Sequence, residues 1–464
     1  MTSYAGSGLF VIAMAAACDW TPTPQYCEGD WAAVPPEAAP PRASARTVAQ
    51  VLPAESAAVD ILFVIDDSMS MADEQAQLGI WSSNLFEVLS GSGDLPDLHI
   101  AVTSSSVDIP SLEQCRSGMG GSFQVGGAVL QNGRFIRDVA GLTGRERNYS
   151  GTLTETFAKM ARVGDSGCGM EQPFKAARLA LSNESEGFLR DDALLLVVFV
   201  TDEDDCSARD STLFSDPYAD ACSELGTITS YRCFEHGVTC YDGKGSRELG
   251  ERNDCRPAAS SPYMESVAGF AEMLKGLKPD PAQVVVAAIH GKPNQVIAIP
   301  DERITTHATP RLANVCGIGG KEGSGATPAI RMNALLAEFG GRASQSSICD
   351  SELSWAMRDI GRVTRDAASR SHCLAGPLID ADVAAAGIQP GCRVEATSDV
   401  GTDLERRVEV PPCDRAGGTR CFTIDRDPAC ADTETQLAFR VIDASANETL
   451  TIACDVENAE VIAE

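Results

Sequence analysis

The run Val59-Asp60-Ile61-Leu62-Phe63-Val64-Ile65-Asp66-Asp67-Ser68-Met69-Ser70 decides the fold, because an unbroken apolar stretch stops at a carboxylate followed by two alternating hydroxyls. Apolar residues at consecutive positions, rather than every second one, mark a strand buried on both faces, as in a parallel sheet covered by helices. In open α/β sheets ligands gather outside the carboxyl ends of the strands, which is where Asp66 arrives. Asp66, Ser68 and Ser70 there offer hard oxygens to one divalent cation such as Mg²⁺. The same residues also suit an Asx turn followed by a helix N-cap, which Asp and Ser form without any metal.

A second apolar run, Ala193-Leu194-Leu195-Leu196-Val197-Val198-Phe199-Val200, leads into Thr201-Asp202-Glu203. A D-x-S-x-S stretch after one buried strand and Thr-Asp after another resembles the metal-ion-dependent adhesion site of von Willebrand factor type A (VWA) domains. The resemblance covers residues 59 to 368 and implies a doubly wound, mostly parallel, Rossmann-like α/β sheet, with Asp66, Ser68, Ser70 and Asp202 as metal ligands. Such a domain normally adds a Thr from a third loop just before a helix. The corresponding stretch is Gly164-Asp165-Ser166-Gly167-Cys168-Gly169-Met170-Glu171-Gln172-Pro173, with no Thr. Pro173 suits the first helical turn, which brings Glu171 or Ser166 toward the cation. A carboxylate there adds negative charge and favours Ca²⁺ or Mn²⁺ over Mg²⁺, whereas without a metal Glu171 is an acid complementing a helix dipole.

Outward from these strands the chain alternates strand and helix patterns. Helices are expected at 72–89, 153–163, 173–181, 263–277, 330–339 and 351–368, the last capped by Asp350 or Ser351, and strands at 98–103 and 283–290. Residues 118–138 alternate around glycines, as in a hairpin or irregular loop. Between Cys206 and Cys255 lies a polar insertion holding Cys222, Cys233 and Cys240 as well, too poor in apolar residues to order itself without local disulfides. It follows Asp202 directly and so belongs near the metal. Within Asp202-Glu203-Asp204-Asp205 four consecutive acids cannot all face one point. Asp202 is expected at the metal, with Asp204 and Asp205 opening the insertion and offering at most an extra Ca²⁺ site. From 374 to 464 short alternating runs between turn formers read as a small β domain stapled by Cys392, Cys413, Cys421, Cys430 and Cys454. Cys349 and Cys373 flank the last helix and are placed to clamp it.

The 464 residues suffice for two or three domains. Seventeen cysteines, none spaced C-x-x-C, point to an oxidising compartment rather than zinc or redox chemistry. The apolar run 9–17 before Cys18 suits residues 1–18 as a signal peptide, and small residues before a cysteine resemble a bacterial lipoprotein processing site with Cys18 lipidated. Residues 19–57, rich in Pro and Ala, read as a tether, 58–373 as the VWA-like domain with its insertion at 206–255, and 374–464 as the β domain. A net charge of −29 argues against nucleic acid as partner and against direct binding to anionic lipid, leaving membrane attachment to a lipid anchor alone. No G-x-S-x-G or H-E-x-x-H occurs. The stretches 167–173, 201–207 and 347–350 are similar to those of secreted or lipid-anchored VWA proteins of myxobacteria. This resemblance implies a cell-envelope or secreted, non-enzymatic adhesion protein that captures a carboxylate of a protein or matrix ligand through its cation. The alternatives are a metal-assisted hydrolase using the same carboxylates and a structural envelope component with a vestigial site.

Overall fold

The computed structural model describes residues 46–53, 58–91, 95–116, 118–141, 143–183, 187–191, 193–278, 281–304, 309–317, 325–368, 372–374, 378–380, 390–398, 405–416, 420–426, 435–442 and 448–456. The expectations for Cys18, for the signal peptide and for most of the tether lie outside these residues. So does Cys430.

In chain order the first elements are β1 (Arg46–Pro53), β2 (Ala58–Ile65), α1 (Ala72–Ser90), β3 (Asp97–Ser104), β4 (Ile136–Gly141), β5 (Gly144–Arg147), α2 (Leu153–Met160), α3 (Pro173–Asn183) and β6 (Leu194–Val200). The insertion contributes α4 (Tyr231–Gly237), β7 (Val238–Cys240), β8 (Gly250–Arg252) and β9 (Cys255–Pro257). After it come α5 (Val267–Lys275), β10 (Val284–His290), β11 (Val296–Pro300), β12 (Pro310–Leu312), β13 (Cys316–Gly317), β14 (Gly325–Ala326), α6 (Ile330–Ala337), β15 (Ala343–Ser347) and α7 (Ser354–Ala368). The chain ends through β16 (His372–Cys373), β17 (Cys392–Ser398), β18 (Arg406–Val410), β19 (Cys421–Arg426), β20 (Leu437–Ile442) and β21 (Glu448–Val456).

The large sheet runs β15-β10-β6-β2-β3-β4-β5, parallel through β3 and antiparallel in the β4–β5 hairpin. Successive residues of β2 face opposite cores. Ile61, Phe63 and Ile65 pack with Leu78 and Leu85 of α1, Phe157 of α2 and Ile360 of α7. Leu62 and Val64 pack with Phe174 of α3, Phe270 of α5 and Leu335 of α6. Helices thus cover both faces, which is why the strands could be continuously apolar. At the amino ends, buried Asp60 accepts from Arg190 Nε at 2.8 Å and its backbone N–H at 2.8 Å, and from Lys278 Nζ at 3.3 Å. This pins β2 at the end away from Asp66.

Two antiparallel sheets, β1-β21-β17-β18 and β16-β20-β19, share a separate core that includes Val394, Phe422, Phe439, Leu450 and Ile452. Cys392–Cys454 and Cys413–Cys421 are disulfides here. Residues 46–53, taken from their Pro/Ala-rich context as the end of the tether, instead form an edge strand paired with β21 from Arg46↔Val456 to Pro53↔Thr449. The run Thr47-Val48-Ala49-Gln50-Val51-Leu52 has no strict alternation to set it apart from the Pro/Ala-rich stretch before it. Cys349, placed to clamp α7 to its neighbourhood, bonds Cys316, so the disulfide holds the loop before α7 to β13. One further expectation is corrected: α7 begins at Ser354, too far along for Asp350 or Ser351 to cap it.

The insertion is held by more than disulfides. Cys206–Cys233 and Cys240–Cys255 form, while Cys222 is an exposed free thiol. Buried Arg232 donates to the carbonyls of Leu213, Ser215 and Gly226. Arg247 gathers those of Ala221 and Ser223 at 2.7 and 2.8 Å while pairing with Glu235. Guanidiniums with five donors each satisfy the carbonyls of a loop that has no ladder of its own.

Candidate functional site

Asp66 continues the β2 ladder through its N–H to Val200 O at 2.9 Å and is fully buried. Its Oδ1 accepts the Ser68 N–H at 2.7 Å, closing an Asx turn, and its Oδ2 accepts the Thr201 hydroxyl at 2.8 Å. The capping half of the metal-free reading is absent: neither Ser68 nor any other residue makes a side-chain cap to the turn at Met69–Met71 or to α1. The hydroxyls of Ser68 and Ser70 instead lie 3.1 Å from each other. Gln75, one turn into α1, donates to Asp66 O at 2.9 Å and to Gly164 O at 2.6 Å, tying the first loop to the third.

From the neighbouring strand, Thr201 N–H bonds Ile289 O at 3.1 Å, and Asp202 O accepts the Thr327 N–H at 2.8 Å. These bonds fix the backbone and turn the Asp202 carboxylate toward Asp66 and Ser70, whose hydrogen bonds ease its ionisation. Asp202 is 3 % exposed, and its Oδ1 has no hydrogen-bond partner. A buried carboxylate oxygen without a partner costs more than almost any other polar defect.

In the third loop the structure separates the two sequence candidates. Ser166 is exposed, its hydroxyl 3.4 Å from Asp165 Oδ1. Glu171 is 2 % exposed and electrostatically coupled to Glu203, Asp66 and Asp202. The loop is set by Asp67, whose carbonyl accepts Gly167 N–H at 2.7 Å, and by Ser106, which donates to Asp67 Oδ1 at 2.6 Å and accepts Cys168 N–H at 2.7 Å. A disulfide from Cys168 to Cys115 locks it.

Burial dominates the electrostatics. It pushes Asp66 up to about 8, with the charge of Asp202 adding to it. It likewise pushes Glu203 up to about 7, with Asp202 again the second cause, and holds Glu171 and Asp202 above the usual carboxylate range. Asp204 and Asp205, expected to open the insertion, turn inward instead. Asp204 accepts the N–H groups of Arg331 and Met332 at 2.9 and 3.1 Å, capping α6. Asp205 accepts the Phe174 N–H of α3 at 3.2 Å and pairs with buried Arg331 at 2.9 Å. Both acids are thereby engaged at helix termini.

Among the described residues no group of three or more His, Cys, Asp or Glu side chains is arranged to hold a metal ion. The donor set at the strand tips is of another kind: two carboxylates and two hydroxyls, with Glu171 behind them. Such oxygens suit a hard cation, and the orphaned Asp202 oxygen fits one. Sequence reading missed Gln75, Glu203 and Ser105. The buried Ser105 hydroxyl is also without a partner, and the signal for it was Ser104-Ser105-Ser106 at the end of β3. Beside Ser70 and Asp202 opens a cleft of about 780 Å³, walled by Tyr231 and Phe234 of the insertion and by Asp301, Arg303, Arg311 and Leu312.

No family model matches this chain, and no curated protein does. Solved structures share only a distant likeness. The pilus adhesin SpaC of Lactobacillus rhamnosus GG, in its open conformation, aligns over 88 % of this chain and 40 % of its own at 9 % identity and TM-score 0.31. The pilus adhesin RrgA of Streptococcus pneumoniae aligns over 89 % and 58 % at 8 % identity and TM-score 0.27. Proximal thread matrix protein 1 of the mussel byssus aligns over 69 % and 50 % at 11 % identity and TM-score 0.28 or less. The chain therefore spans about half the length of the mussel protein or less of SpaC. Likeness at this level assigns no function.

Proposed function

We propose that this chain is a VWA-type surface binding protein in which Asp66, Ser68, Ser70 and Asp202 hold a divalent cation, with Glu171 at its third side. The cation's remaining coordination position takes a carboxylate from a protein or matrix ligand. The unpartnered, buried Oδ1 of Asp202 carries this reading. Such an oxygen beside a second carboxylate is a place for a positive partner. Two neutral hydroxyls and two acids favour Mg²⁺, and a ligating Glu171 shifts the preference toward Ca²⁺ or Mn²⁺.

Capture rather than catalysis is the function we infer. Of the histidines whose surroundings are described, His99 bonds Phe188 O at 2.8 Å, His290 bonds Gly291 O at 2.9 Å, and His236 packs on Tyr263. Each is engaged structurally, so none of these three imidazoles is offered to the strand tips. The disulfides support an oxidising location at the cell envelope or outside it. No helix among the described residues is long and apolar enough to cross a membrane. Attachment through Cys18 remains part of the proposal.

Calorimetric titration of Mg²⁺, Mn²⁺ and Ca²⁺ into metal-stripped protein tests the site. One-site binding is expected, lost in both Asp66→Ala and Asp202→Ala. Identical heats for wild type and variants would refute it.

A further inference from the structure

We propose that Ser105 is an outer-shell residue of the cation site, its buried hydroxyl bonding the water that the cation carries, and that this contact favours Mg²⁺ over Ca²⁺. The inference rests on the metal-capture reading and names a determinant of its ion selectivity.

The register of the sheet places this hydroxyl. Ile65 of β2 pairs with Ser104 of β3 on one side and with Val200 of β6 on the other. Both ladders run one residue further, through the Ser105 N–H to Ile65 O at 3.1 Å and the Asp66 N–H to Val200 O at 2.9 Å. Ser105, Asp66 and Thr201 therefore form the next row across the strand tips. Side chains of one row share a face of the sheet, and the Thr201 hydroxyl reaches Asp66 Oδ2 at 2.8 Å on that face. The row beyond behaves alike, with Ser106 bonded to Asp67 at 2.6 Å. The third loop closes over Ser105, whose carbonyl accepts the Gln172 N–H at 3.0 Å.

Thr201 and Ser105 thus flank the same carboxylate, and only one of them is used. Thr201 donates to Asp66 Oδ2, while Oδ1 is taken by the Ser68 N–H. The Ser105 hydroxyl, 0 % exposed, has no hydrogen-bond partner. Ser104 stands in the row of Ile65 on the opposite face, where its hydroxyl eases the ionisation of Asp67. The other unpartnered atom of the site, Asp202 Oδ1, follows β6, across β2 from Ser105. Two buried polar defects therefore flank Asp66, and one guest answers both, with its charge at the carboxylate and its water at the hydroxyl. An octahedral ion held by Asp66, Ser68, Ser70 and Asp202 keeps water at a remaining position until a ligand carboxylate arrives. Mg²⁺ gives up such water reluctantly and demands regular geometry, so a residue that holds the water adds to its affinity. Ca²⁺, with a larger and irregular shell, replaces the water by other oxygens and gains little from it.

The test is calorimetric titration of Mg²⁺ and of Ca²⁺ into the metal-stripped full chain and its Ser105→Ala variant, with urea unfolding of both in EDTA. The variant should bind Mg²⁺ about tenfold more weakly and Ca²⁺ within about twofold of wild type. Its urea midpoint in EDTA should not fall, because the hydroxyl removed has no partner in the metal-free protein. Wild type that binds Mg²⁺ no better than the variant overturns the inference and leaves the cation reading standing. Equal losses for the two ions, or a lowered midpoint in EDTA, overturn it as well, by assigning the hydroxyl to the shape of the empty site. Wild type that takes up neither ion refutes the cation reading and this inference with it.

Discussion

Replacing Asp66 by Asn should stabilise the metal-free protein and abolish its response to Mg²⁺. The folded-state value of Asp66 is raised to about 8, first by burial and then by Asp202. An acid raised in this way contributes nothing adverse below its unfolded value near 4. As pH climbs, the unfolded chain ionises while the folded one must keep the proton. Stability then falls by about 1.4 kcal/mol per pH unit until the folded group titrates near 8. At pH 7 the accumulated cost is on the order of 4 kcal/mol. Asparagine keeps the shape and an Oδ1 for the Ser68 N–H. Its Nδ2 meets the Thr201 oxygen, whose proton can turn to Glu203 O at 3.2 Å. Losing one hydrogen bond of good geometry takes back about 1 kcal/mol. Urea unfolding in EDTA should show the variant roughly 2–4 kcal/mol more stable at pH 7 and about 1 kcal/mol less stable than wild type near pH 4. In Mg²⁺ at a hundred times its Kd, wild type should recover about 2.7 kcal/mol and the variant nothing. A variant that is no more stable at pH 8, or a difference that does not widen with pH, would show that Asp66 is not a buried carboxylate awaiting a counter-charge.

Three further outcomes are expected. A Cβ at Gly167 would overlap the Asp67 carboxylate and come within 2.6 Å of Ser106 Oγ, so Gly167→Ala should displace the loop carrying Glu171 and weaken Mg²⁺ binding by roughly tenfold in calorimetry. Gly169→Ala, with nothing within 4 Å, should not. Arg331→Met leaves Asp205 buried and unpaired and should cost about 3–5 kcal/mol by denaturant unfolding, with Asp205→Asn in the same chain restoring a measurable part. Replacing Cys206 and Cys233 together by Ser opens a loop of sequence separation 27 and should cost roughly 3–4 kcal/mol by the same assay.

The sheet was legible because its signal is local. Ile61 to Ile65, Leu194 to Val200 and Val284 to His290 are apolar without interruption, and adjacent residues in each must then face two separate cores. Helices α1, α3, α6 and α7 were legible from their spacing for the same reason. What was not legible depends on partners far along the chain. β1 is a strand only because β21, some four hundred residues later, supplies its ladder. The insertion looked orderless because carbonyls bound to Arg232 and Arg247 leave no periodic trace. Disulfide pairing is a matter of proximity, which is why Cys349 found Cys316. At the site, Asp66 and Asp202 could be placed from strand ends, whereas the burial of Glu171 and the exposure of Ser166 depend on the path of a loop locked by Cys115 and Asp67.

The acid run after β6 gives the site its internal control. Asp202, Asp204 and Asp205 leave one turn of chain at comparable burial, so any general tendency of this region to strand polar atoms should affect all three. It does not. Asp204 has two backbone N–H groups from α6, and Asp205 has Arg331, the Ser207 hydroxyl at 2.5 Å and the first turn of α3. Only Asp202 keeps an oxygen bare, and it is the one at the strand tip facing a second carboxylate and a hydroxyl. Its neighbours also explain why it cannot relax: the backbone on either side is bolted to α3, α6 and the Cys206–Cys233 bridge. A buried carboxylate with one oxygen bonded and the other unable to reach water or a donor suits a cation at that second oxygen, because the cost of holding it there has already been met by folding.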